Sequence, residues 1–121
     1  MKNLTFVYND RENFYQIKWE GVTKIEDIQR AWNKVLDEFD LQGGKHSFLV
    51  DNSEVHYDET TSRCLELAQF YNNTDIFGDS RIAMVATTPH STARLFYIVK
   101  NLKGVEMKVF STLSAAKEWL M

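Results

Sequence analysis

Residues 48–61 read FLVDNSEVHYDETT, and within them Asp51, Ser53, His56 and Asp58 supply the side-chain types of a hydrolytic site. A nucleophile, a base and an orienting acid must converge in space, normally from separate parts of a chain. Here they crowd one strand-to-helix junction, and Asp51, Asn52 and Ser53 belong to the types favoured in turns and helix caps. Structural punctuation is therefore the expected role of this stretch. An enzyme would need His90, beside Pro89 at a strand end, to meet Asp51 or Ser53 across the sheet; this hydrolase-like reading ranks third, and no enzyme is expected. His46, His56 and His90 sit in three different segments without the close spacing of a zinc site, so neither a metal nor a cofactor is expected. Cys64 falls on an apolar helical stripe and reads as a small core residue.

The elements that would position these residues are legible from periodicity. LTFVY (4–8) and FYQIKWEG (14–21) read as strands joined by the turn-forming NDREN, a hairpin. Thr23 and Glu26 fit a capping box that opens a helix. In that helix Ile25, Ile28, Trp32, Val35, Leu36 and Phe39 recur at three- and four-residue steps. HSFLV (46–50) is a short strand, followed by a helix over roughly 59–72 with Cys64, Leu65, Ala68 and Tyr71 along one stripe. RIAMVAT (81–87) is near-continuously apolar, as in a strand covered on both faces. STARLFYIVKNL (91–102) reads as a helix, VEMKVF (105–110) as a strand and LSAAKEWL (113–120) as a last helix. The order β-β-α-β-α-β-α-β-α predicts one α/β domain over residues 1–121, with a mixed, mostly parallel sheet. Trp19, Trp32 and Trp119 lie in phase with apolar faces and are expected in the core.

In an open parallel sheet, ligands settle beyond the carboxyl ends of the strands. Those ends read DNS (51–53), TTPHST (87–92) and ST (111–112), each expected to lead into a helix N-terminus with unpaired N–H groups. Asp51, Ser53, Thr88, His90, Ser91 and Ser111 are the candidate binding residues of this rim, together with Asp58 and Thr60 from the adjoining loop.

The whole chain constrains the partners. Its 121 residues hold 14 basic and 17 acidic side chains of scattered sign, a net charge of −3, so nucleic acid is not an expected partner. The longest aliphatic run, IAMVA, is too short to span a bilayer, and the first residues carry no signal-peptide pattern. With a single cysteine, this favours a reducing cytoplasm.

The element order, FLVDNSEVHYDETT as third strand and loop, and VEMKVFSTLSAAKEWL as closing strand and helix together resemble the STAS domain. The similarity is greatest to STAS-like proteins grouped with the bacterial anti-sigma-factor antagonists but lacking an assigned role. The resemblance implies a non-enzymatic regulatory or protein-interaction module that docks through the loop at 51–61 and the helix after it. In the antagonists an Asp-Ser-Ser-Gly segment carries a serine that a partner kinase phosphorylates. Here the matching residues are Asp58, Glu59, Thr60 and Thr61, so only Thr60 could take that role, and Glu59 sets a fixed charge beside it. Docking without a phosphate switch is the expectation. The alternative is a small apolar-ligand or lipid-binding protein, which the aromatic content of 13% allows. A homodimer through an exposed sheet edge also stays open.

Overall fold

The computed structural model describes residues 3–41, 44–57 and 61–121, apart from the side chains of Tyr57, Thr61 and Ser62. Strands β1 (Asn3–Asn9) and β2 (Phe14–Thr23) form the expected antiparallel hairpin. Helix α1 (Ile25–Glu38) leads to β3 (Ser47–Tyr57), and α2 (Thr61–Asn72) with the short α3 (Asp75–Gly78) leads to β4 (Arg81–Val85). Helix α4 (Pro89–Lys100), β5 (Glu106–Phe110) and α5 (Leu113–Leu120) complete the chain. The sheet order is β1-β2-β3-β4-β5, parallel at every pair except the first. The fold class is α/β, as the alternation of elements predicts.

Because successive parallel strands advance in one direction across the sheet, right-handed crossovers carry their helices over one face. Residues of α1, α2, α3 and α4 accordingly share one core cluster with Ile17, Trp19, Phe48, Val50, Ile82, Met84 and Met107 from the sheet. The second face is covered differently. Among the described residues only α5 packs there, with Ala116, Trp119 and Leu120 against Phe14, Leu49, Ala83, Val85 and Phe110. The part of that face carried by β2 and the distal end of β3 has polar and charged residues instead of a helix.

The helix-side core is built around Trp32. Its ring meets Trp19, Phe48, Tyr71 and Phe77 edge-on at centroid separations of 6.0, 5.2, 6.0 and 4.8 Å. Each of these side chains is essentially fully buried, a contribution of about 1.5–3 kcal/mol apiece. Trp119 is only half-buried, resting on Phe110 with the Arg81 guanidinium 4.2 Å from its ring.

Several local expectations are corrected. The capping box is displaced by one residue: Thr23 ends β2 as a buried residue, and Asp27 accepts the Lys24 N–H at 3.2 Å. Leu65 is exposed and Leu67 takes its place on the buried stripe, because 64, 67, 68 and 71 repeat at helical spacing and 65 does not. Helix α4 begins at Pro89, whose fixed φ and missing N–H suit a first helical position. The short α3 has turn-type Thr74, Asp75, Gly78 and Asp79 around it; burial of Ile76 and Phe77 holds it in place. The largest correction is β3, which continues past Asp51 to Tyr57.

Candidate functional site

Asp51 and Asn52 are therefore strand residues, and DNS does not open a helix: α2 begins only at Thr61. Their polar groups are consumed inside the fold. Asn52 is buried on the helix side, where its Oδ1 accepts the Trp19 indole N–H at 2.7 Å and its amide donates to the Val50 carbonyl at 3.2 Å. Asp51, only 7% exposed, projects to the second face and accepts the Ser53 N–H at 2.9 Å.

The reason for that local bond is a bulge. Lys18 pairs with Asp51, but Glu20 pairs with Glu54, so β3 spends an additional residue against β2. Asn52 faces Trp19, which leaves Ser53 as the insert. Bulges strand backbone groups, and both of this residue's are met: Asp51 takes the N–H, and the carbonyl accepts the Thr87 hydroxyl at 3.4 Å. The insert also resets the alternation. Asp51 and Glu54, three positions apart, come to the same face, which a regular strand would forbid.

That face gathers a charged patch. Lys18 lies 3.2 Å from Glu54 and 3.9 Å from Glu20. The hydrogen-bonded Glu54 carboxylate, with Asp51 and Glu20 nearby, holds the Lys18 ammonium above its ordinary range. Three carboxylates thus surround one cation, and the patch is acidic. Exposed Val22 and His56 pair next along the strands and extend the same surface.

His56 meets the start of α4. Its ring stacks on His90, with centroids 5.3 Å apart and planes 14° from parallel. Thr88 is the N-cap of α4 and accepts the Ser91 N–H at 3.2 Å, while buried Ser91 donates its hydroxyl to the Val55 carbonyl at 3.2 Å. These two residues pin α4 to the projecting end of β3. Thr88 and His90 remain exposed.

The rim is thus partly assembled. Strands β3, β4 and β5 are in register through Asp51, Val85 and Phe110, which brings Asp51 near the segments that follow β4 and β5. However, α4 and α5 leave on opposite faces, so Thr88 and Ser91 turn toward the helix layer and Ser111 toward α5. Ser111 is exposed, and Thr112 beside it is the α5 N-cap, accepting the Ala115 N–H at 3.1 Å. Asp58 and Thr60 lie outside the described residues. Lys18, Glu20 and Glu54 escaped the reading by residue type. The signal for Lys18 and Glu20 was the charged phase of FYQIKWEG, opposite its aromatic phase; Glu54 lies outside that segment and had none.

His46 lies before the start of β3, at the other end of the sheet from His56 and His90, and packs against Tyr15 and Phe48. Among the described residues no group of three or more His, Cys, Asp and Glu is placed to hold a metal ion, and no helix is long and apolar enough to cross a membrane. Two cavities are described. One of about 250 Å³ lies between Leu4 and Asp27, Arg30, Ala31 and Lys34. Another of about 420 Å³ lies among Leu65, Gln69, Asn72, Asn73, Asn101 and Lys103.

No family model matches the chain, and neither does any curated protein. Among solved structures it is similar to an uncharacterised protein of Shewanella loihica PV-4, described as a member of the DUF3478 family with a SpoIIAA-like fold. The TM-score is 0.59 at 15% identity, and the match covers 98% of this chain and 93% of that one. At that identity the likeness establishes the fold. The chain has the SpoIIAA-like architecture, which is that of the STAS domain and of the anti-sigma-factor antagonists.

Proposed function

We propose that this protein is a non-enzymatic STAS-like interaction module of the cytoplasm. Its docking surface is the 51–61 segment with the helix that follows, extended across the uncovered half of the second sheet face. The observation that carries this reading is the Ser53 bulge, which brings Asp51 and Glu54 together beside Lys18 and Glu20 on the part of the second face that α5 leaves uncovered. A bulge with both stranded backbone groups satisfied is a built feature, and such bulges commonly re-aim side chains at sites. Glu20 and Glu54 around one ammonium, with the buried Asp51 beneath them, suit a partner that presents basic residues, whose approach the patch would steer.

The test is affinity capture from the source cells using wild type, a Glu20→Lys/Glu54→Lys variant, and a Phe96→Ser control on the exposed side of α4. The reading expects a partner retained by wild type and control, weakened by the double reversal by about tenfold or more, and released by moderate salt. Identical partner profiles for all three proteins would remove this face from consideration.

A further inference from the structure

Strand β1 ends the sheet, and among the described residues no strand pairs with its outer edge. Natural edge strands are normally blunted by charge, proline, a bulge or brevity. None of these devices is present: β1 reads NLTFVYN, has seven residues, and pairs with β2 in unbroken register from Asn3 to Asn9. The opposite edge differs, since β5 reads EMKVF and carries Glu106 and Lys108. On β1, Val7 is 58% exposed on the second face and Tyr8 39% exposed on the helix side.

We infer that β1 pairs antiparallel with β1 of a second copy of this chain, about a two-fold axis through Phe6. That axis sets Thr5 against Val7, Leu4 against Tyr8 and Asn3 against Asn9. The edge thus sets asparagine against asparagine at its ends and apolar or β-branched residues against one another between them. The same register gives the 250 Å³ cavity an occupant, because Leu4 forms one wall of it and Asp27, Arg30, Ala31 and Lys34 of α1 form the rest. Tyr8 of the second copy, directly across from Leu4, enters there. Its ring lies against Leu4 and Ala31, and its hydroxyl is among the charged groups of α1. To do so it leaves its exposed 3.2 Å hydrogen bond to Asn13. The product is a continuous ten-stranded sheet across two copies, five strands from each.

Sedimentation velocity over a range of protein concentrations tests this, together with disulfide trapping. Wild type is expected to pass from monomer to dimer as concentration rises. Val7→Lys, a change at an exposed side chain, is expected to weaken dimerisation at least about tenfold while leaving the circular dichroism unchanged. Thr5→Cys and Val7→Cys proteins, oxidised as a mixture, are expected to form a linked dimer that neither forms alone, since cross-strand neighbours have the Cβ separation a disulfide needs. Cys64 is buried and does not compete. Two results would overturn the inference: a wild type that stays monomeric throughout, or a dimer that survives Val7→Lys without the mixed cross-link.

Discussion

Trp19 and Trp32 each bring an indole N–H into an apolar core, and each is met by one side chain. Asn52 accepts from Trp19 at 2.7 Å and the Tyr71 hydroxyl accepts from Trp32 at 2.8 Å. Burial pushes the Tyr71 phenol well above its ordinary range, so it stays protonated and free to play this part. A buried donor left without an acceptor costs its full desolvation, whereas an exposed ion pair contributes little. Asn52→Ala is therefore expected to lower stability by about 2–3 kcal/mol and Tyr71→Phe by about 1–2 kcal/mol, whereas Lys18→Met is expected to leave it nearly unchanged. Urea midpoints at unchanged m-value would check the order. The burial of both tryptophans could be read from their phase with neighbouring apolar residues. Their acceptors could not: Asn52 belongs to a residue type that favours turns, and only its tertiary contact with Trp19 makes it a strand residue.

Among elements, β3 departs furthest from expectation. VHY is strand-prone, but the polar DNSE before it reads as a turn, and nothing local announces that Asp51 and Thr87 satisfy an inserted Ser53. The pairing yields a test. Deleting Ser53 removes the extra residue and still leaves Glu54 opposite Glu20 and Val55 on its core side. That variant is expected to fold, with stability changed by less than about 2 kcal/mol, and to keep partner capture, because Asp51 and Glu54 still share a face with Lys18 and Glu20. Deleting Leu49 instead breaks a regular stretch and turns core residues outward, so it is expected not to fold. Thermal melts of the two variants would separate these outcomes.

Helices α1 and α2 are tied by the Arg63–Glu26 ion pair. The hydrogen bond from Arg63 holds the Glu26 carboxyl below its ordinary 4.5. A depressed carboxylate stabilises the fold above its unfolded pKa, and the effect is lost as pH falls through the lower folded value. The stability gap between wild type and Arg63→Gln is thus expected at neutral pH and should close progressively below about 4.5, as acid titration followed by circular dichroism would show.

At the scale of the molecule, the element order was enough to give the α/β class, the hairpin and the mostly parallel sheet, because strand and helix periodicities differ sharply along this chain. The shared face of α1 to α4 followed from the handedness of crossovers once the strands were placed, whereas α5 follows the last strand, makes no crossover, and its face was not fixed by that rule. The site was less legible. Residue types pointed to hydroxyls at strand ends, but the exposed patch is made by Lys18, Glu20 and Glu54, brought together by a one-residue irregularity that periodicity does not reveal. Site-specific photo-crosslinking in the source cells tests the docking claim most directly, with a photoreactive residue at Glu54 or His56 and, for comparison, at Lys100 on the outer side of α4. The account predicts adducts from the two β3 positions, absent at Lys100, with the linkage mapping to a basic segment of another protein. Adducts confined to Lys100, or none from β3, would contradict it.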